Sequence, residues 1–154
     1  MLSNNKIYLC SDMSITYDPH YRYKIDAPLY EIKKKKGAII TCFTNSEIFA
    51  SAIEIDHMLL IKIIGSELSC QSSIDKDLKY GVFKGLFEPS QINSIICNII
   101  TSYLLCQTCD KPEVVLYKKK RKLRQLCKAC GDKNYIKPEL ELTSIYEIIS
   151  KVII

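Results

Sequence analysis

The sequence predicts an α+β fold: a small α/β core domain of hairpins and packed helices, followed by a compact C-terminal ribbon held by four cysteines. Three observations carry this. Short apolar blocks separated by charged turns run over residues 29–87, as strands and one buried helix would. A one-faced helical stripe follows Pro89. Two C-x2-C pairs then bracket a strongly basic segment. With 154 residues and 47% hydrophobic content, the chain can bury one modest core and a small satellite module.

In chain order, residues 1–19 are polar and without period, and read as a flexible N-terminal arm. The core domain is expected over 20–102. A strand at 29–32, a turn rich in lysine and the apolar strand AIITCF predict a hairpin with Lys33, Lys34, Lys35 and Lys36 at its tip. Asn45 or Ser46 begins a short helix through Ile53, and HMLLIKIIGSEL is apolar on more than one face, as a helix buried under a sheet would be. SSID and YGVFKGLF predict a second hairpin. After Pro89, the residues Ile92, Ile95, Ile96, Ile99, Ile100 and Tyr103 share one helical face that runs straight into Cys106. A ribbon over 103–137 follows. Pro138 then breaks the chain, and Ser144 with Glu147 forms a capping box for an amphipathic C-terminal helix within 138–154.

Cys106 and Cys109, with Cys127 and Cys130 seventeen residues on, have the spacing of a zinc ribbon. Two residues between thiolates let both sulfurs of one knuckle reach a single tetrahedral ion, and Gly131 suits the positive φ of the turn. Four thiolates leave no open position, so one structural Zn2+ is expected. Cys10, Cys42, Cys70 and Cys97 have no paired spacing and read as buried small residues; His20 and His57 read as packing or surface residues.

The formal net charge is +5, and a surplus of five falls between Cys109 and Cys127. There Lys111, Lys118, Lys119, Lys120, Arg121, Lys122 and Arg124 face Asp110 and Glu113. A basic run clamped at both ends by metal ligands projects as one rigid surface of the kind that binds phosphates. The longest apolar runs fall short of the roughly 20 residues a membrane span needs, and no basic start precedes an apolar block. The expectation is a soluble, cytoplasmic protein without a membrane partner.

From residue 21 to 136, the succession of a lysine-tipped hairpin domain and FKGLFEPSQINSIICNIITSYLLCQTCDKPEVVLYKKKRKLRQLCKACG resembles a known family. It is the fold shared by the N-terminal domain of translation initiation factor 5 and the beta subunit of initiation factor 2. The ribbon's order, its spacing and the KPE after the first knuckle carry the resemblance. YRYKI, residues 21–25, is similar to factor 5, in which an arginine between two tyrosines stimulates GTP hydrolysis on initiation factor 2. The resemblance therefore implies that Arg22 is an arginine finger supplied in trans, making the protein a GTPase activator and not itself an enzyme. CKACG also looks like factor 5, whereas GVFKGLF is closer to the beta subunit. The implied partners are the GTPase subunit of initiation factor 2, the small ribosomal subunit, initiator tRNA and mRNA. Lys33, Lys34, Lys35 and Lys36, with Lys118, Lys119, Lys120, Arg121, Lys122 and Arg124, would contact RNA.

Local sequence alone also allows Arg22 to stack on Tyr21 or Tyr23 and pair with Asp18 or Asp26. The alternatives are a beta-subunit-like binding module or a non-activating decoy, and a transcription zinc ribbon. Ribbons that stimulate transcript cleavage carry adjacent acidic residues at the loop tip, and VVLYKKKRKLRQL has none. Factor 5 normally continues into a helical-repeat domain; this chain shows none through Ile154, so recruitment is expected to use the core itself.

Overall fold

A computed structural model of the protein describes residues 6–11 and 20–153. They form two compact units: Pro28–Cys97, and a unit that joins the N-terminal segment through Ala27 with Asn98–Ile154.

The Pro28–Cys97 unit is built on β3 (Tyr30–Lys35), β4 (Ala38–Phe43), β5 (Ser72–Ile74) and β6 (Gly81–Lys84). These strands make one antiparallel sheet in the order β3-β4-β6-β5. The expected first hairpin forms, but its strand extends through Lys35 and the turn narrows to Lys36 (φ 51) and Gly37 (φ 78). Two consecutive positive φ values give the two-residue turn whose twist matches the flanking strands. Lys33 and Lys35 therefore lie along one side of the strand and not at the tip.

Between β4 and β5 run α1 (Ser46–Ala52) and α2 (His57–Glu67). Asp56 caps α2 by accepting from the Leu59 amide at 2.9 Å. Leu59, Leu60, Ile61, Ile63, Ile64 and Gly65 are all buried, as the many-sided apolar pattern implies. Buried Ser46 has its hydroxyl satisfied: it accepts from the Gly81 amide at 2.8 Å and shares a 2.9 Å hydrogen bond with His57 Nε2. Asn45 does not cap α1; its Oδ1 accepts from the Leu29 amide instead.

A Cβ added at Gly65 would lie 2.5 Å from Ser72 Cβ, so α2 packs on β5 only because this residue has no side chain. Gly65→Ala is expected to destabilise the protein by about 1–3 kcal/mol, the overpacking cost exceeding the smaller helix-propensity gain. Urea denaturation followed by circular dichroism measures this; an equal or higher midpoint would mean the contact yields freely.

In the other unit, β1 (Lys6–Tyr8) pairs antiparallel with β2 (Lys24–Asp26). This differs from the expected loose arm over 1–19: residues 6–8 form a strand, and Leu9 and Cys10 are buried. A three-residue strand bonded across an intervening stretch leaves no local period to read. The remainder of that arm, residues 1–5 and 12–19, lies outside the described residues.

The helix α3 (Pro89–Ile99) carries the chain from one unit into the other and passes into a π-helical turn, Ile100–Leu104. Buried Ile92, Ile96 and Ile99 form the expected stripe, and Cys97 on the opposite side is exposed, contrary to its expected burial. Cys70 is only half-buried, whereas Cys42 is fully enclosed.

Next come β7 (Val114–Lys119), β8 (Lys122–Cys127) and β9 (Lys133–Tyr135), a three-stranded antiparallel sheet. A short 3-10 turn, Pro138–Leu140, leads to α4 (Ser144–Val152). Its cap is Thr143, not the expected Ser144, with Oγ1 accepting from the Tyr146 amide at 3.3 Å. α4 packs on the ribbon. Tyr146 accepts at its hydroxyl from the Leu123 amide, Lys118 Nζ donates to the Ser150 carbonyl, and Tyr103 bonds Thr143. Buried Gln125 donates to the Tyr103 and Leu105 carbonyls, satisfying acceptors where the helix ends. Among the described residues no helix is long and apolar enough to cross a membrane.

Candidate metal centre and the Arg22 hairpin

The two knuckles repeat one local geometry. In the first, the Cys106 amide donates to the Lys111 carbonyl and the Asp110 amide to the Cys106 carbonyl, at 3.0 and 2.9 Å. In the second, the Cys127 amide donates to the Asp132 carbonyl and the Gly131 amide to the Cys127 carbonyl, again at 3.0 and 2.9 Å. Each turn ends on a positive φ directly after the second cysteine, 59° at Asp110 and 79° at Gly131.

The four sulfurs converge to within 4.8 Å of one another. Cys106 and Cys130 are 3.7 Å apart, and Cys109 and Cys127 are 3.6 Å apart. A tetrahedral site with Zn–S bonds of about 2.3 Å requires sulfur separations of about 3.8 Å, so the donor set fits zinc in identity, number and spacing. Burial pushes the Cys106 thiol up, but amides of Cys109 and Thr108 aimed at its sulfur outweigh burial and bring it to about 7. The Asp132 amide draws the Cys130 thiol down, yet burial and hydrogen bonds with Cys106, Cys127 and Cys109 push it up to about 12. A divalent cation would displace these protons and neutralise the crowded thiolates, holding the two knuckles together.

The β1–β2 hairpin is fastened to the first knuckle. Asp110 accepts from the Ser11 amide at 3.0 Å and from its hydroxyl at 2.7 Å. At the strand ends the Leu9 amide donates to the Tyr23 carbonyl, and the Tyr21 hydroxyl donates back to the Leu9 carbonyl. Tyr23 has its phenol raised by burial and by a hydrogen bond with Glu113, three residues beyond Asp110 in the chain. Tyr8, Tyr21 and Tyr23 stack in series, with centroids 6.0 and 5.8 Å apart.

Arg22 stands between these anchored tyrosines and is exposed. Its guanidinium lies 5.7 Å from the Tyr23 ring centroid. Asp26, one of its two expected ion partners, pairs with Lys6, and Asp18 lies outside the described residues. Asp110 was not singled out by sequence reasoning. The signal was present: the first knuckle has aspartate where the second has glycine, at a backbone conformation that favours glycine.

The expected RNA-binding residues separate by environment. Lys33 donates to the Tyr80 hydroxyl at 3.1 Å and lies near Glu31, and Lys35 pairs with Asp75, whereas Lys34 and Lys36 are exposed. In the ribbon, Lys118 is tied to α4, Lys122 pairs with Glu141 at 3.3 Å, and Arg124 lies 3.9 Å over the Tyr135 ring. Lys119, Lys120 and Arg121 are exposed at the β7–β8 turn. Lys120 (φ 51) and Arg121 (φ 65) both adopt the left-handed conformation that Asn-Gly would fill without strain.

Residues 13–133 match a protein family described as a domain found in initiation factor 2B and initiation factor 5. The chain belongs to that family. The match covers Arg22, the four cysteines and the basic turn. Eukaryotic translation initiation factor 5 of Caenorhabditis elegans is 31% identical over 114 residues, which are 74% of this chain and 26% of that protein. The Saccharomyces cerevisiae factor 5 is 29% identical over 126 residues, 81% of this chain and 30% of its own length. The beta subunit of translation initiation factor 2 from Methanocorpusculum labreanum is 30% identical over 105 residues, 68% of this chain and 50% of that protein. The chain thus spans about a quarter to a half of the relatives it matches. Both branches of the family are represented among them.

Proposed function

We propose that this protein is a translation initiation factor of the factor 5 type. It binds the preinitiation complex on the small ribosomal subunit and stimulates GTP hydrolysis on initiation factor 2 by inserting Arg22 into that partner's site. One observation carries the reading: an exposed arginine between two anchored tyrosines, on a hairpin bonded to a candidate metal knuckle. Hydrolysis of the γ-phosphate spreads negative charge over its oxygens, and a planar guanidinium donated in trans pairs with them without losing its own charge. Zn2+ held by Cys106, Cys109, Cys127 and Cys130 keeps the knuckle rigid. Single-turnover GTP hydrolysis by initiation factor 2 in a preinitiation complex, with and without the protein, tests the reading. Acceleration supports it; binding without acceleration favours the second reading, a beta-subunit-like module or decoy, which the Methanocorpusculum labreanum relative motivates.

RNA of the complex, including initiator tRNA and mRNA, would meet the basic turn. Two cations held at positive φ, where Asn-Gly would be unstrained, support a role for their charge. The double variant Lys120→Asn/Arg121→Gly is expected to stabilise the ribbon by about 1 kcal/mol or more. It should also lower the magnitude of the log K against log salt slope for single-stranded RNA by about 1.4, or 0.7 for each lost phosphate contact. Thermal denaturation and salt-titrated RNA binding measure the two effects. An unchanged slope would mean that the turn is only a solvated face.

A further inference from the structure

The ribbon sheet has one covered and one open face. Strand register places Val114, Leu116, Lys118, Leu123, Gln125 and Cys127 on the side from which Leu123 and Gln125 bond α4 and the π-turn. The opposite face presents Tyr117, Arg124 and Tyr135 as one row across three successive strands. Val115 and Leu126 lie beside that row, and Lys119, Lys122 and Lys133 lie at its two ends. None of these eight outward positions is acidic.

The chemistry of the row is specific. Arg124 lies over the Tyr135 ring at 3.9 Å and donates through Nη2 to its hydroxyl, which holds both groups flat against the sheet. Arg124 Nε is shielded from solvent and has no hydrogen-bond partner among the described residues, so it offers a donor at the surface. Tyr135 is 55% exposed and Val115 44%. Lys122 is partly neutralised by Glu141, while Lys119 and Lys133 have no carboxylate partner among the described residues.

We infer that this outer face, centred on Tyr117, Arg124 and Tyr135, is a stacking platform for unpaired RNA bases. The inference deepens the RNA-binding part of the proposal above and rests on it. Strands about 4.8 Å apart spread the row over about 10 Å, enough for two consecutive bases. A planar guanidinium and a phenol ring stack on any base, and lysines at both ends follow the backbone phosphates. Base faces are free for such stacking only in single strands, since in a duplex they are covered by neighbouring pairs. A protein partner fits less well, because protein interfaces are depleted in lysine.

The test uses the full chain loaded with zinc, a short fluorescein-labelled oligoadenylate and a labelled RNA duplex, read by fluorescence anisotropy. Tyr117→Ala/Tyr135→Ala is expected to weaken oligoadenylate binding about tenfold or more, with the duplex affinity and the salt slope unchanged. Tyr117→Phe/Tyr135→Phe keeps both rings and should bind like wild type. Should the alanine pair lose metal, Tyr135→Leu, which keeps apolar cover, should show the same selective loss. Equal losses for both RNAs, or none, would overturn the platform. The double variant Lys120→Asn/Arg121→Gly, which should weaken both RNAs together, then reports whether the basic-turn reading stands by itself. Wild-type protein that binds neither RNA would remove both.

Discussion

Replacing Arg22 by alanine is expected to reduce stimulated GTP hydrolysis on initiation factor 2 by about 10³-fold or more, within the range known for arginine fingers. Arg22→Lys should lose most of the same stimulation, since an ammonium cannot reproduce the forked, planar pairing of guanidinium with phosphate oxygens. Affinity for the complex should survive in both variants, because the tyrosines, the Ser11–Asp110 bonds and the basic turn remain. Single-turnover hydrolysis with a parallel affinity measurement separates the effects. Wild-type rates in both variants would make Arg22 a residue held by Tyr23 alone and hand the function to the binding-module reading.

Removal of the metal should have the second large effect. Binding of structural zinc by four thiolates is coupled to folding with about 10–16 kcal/mol of apparent energy, more than a small ribbon's own core can supply. Metal analysis should find one zinc per chain, and Cys127→Ser or chelation should release it and raise amide exchange throughout β7–β9. The loss should then reach further. Without an ordered first knuckle, Asp110 cannot hold Ser11, so stimulation of GTP hydrolysis should fall although Arg22 is untouched. Zinc-free protein with full ribbon protection would contradict this account. Acidification should act in the same direction as chelation, because protons compete with the metal for thiols such as Cys106, near 7.

Much of the architecture was legible because it is written in local patterns. The C-x2-C pairs, the stripe Ile92, Ile96, Ile99 and the alternation in β4 each state their structure within a few residues. What escaped depends on partners far along the chain. β1 is three residues long and takes its meaning from β2, and Asp110 differs from an ordinary turn residue only through its bond to Ser11. The cap at α4 moved by one residue because Thr143 and Ser144 are chemically equivalent caps, and helix geometry chose between them. Similarly, the lysine run after Ile32 is uniform in sequence, while strand alternation sends Lys33 and Lys35 toward Tyr80 and Asp75 and leaves Lys34 exposed.

The bond between Ser11 and Asp110 spans 99 residues, and that separation has a consequence for the order of events on a translating ribosome. The segment through Ala27 is synthesised early, and the Pro28–Cys97 unit can complete itself as soon as it emerges. The Arg22 hairpin cannot dock until the first knuckle exists, and the knuckle cannot close until Cys127 and Cys130 have been made. A nascent or truncated chain therefore carries the arginine without the platform that presents it. The activating group becomes competent only once its metal ligands have been synthesised, which keeps incomplete copies from acting on the GTPase.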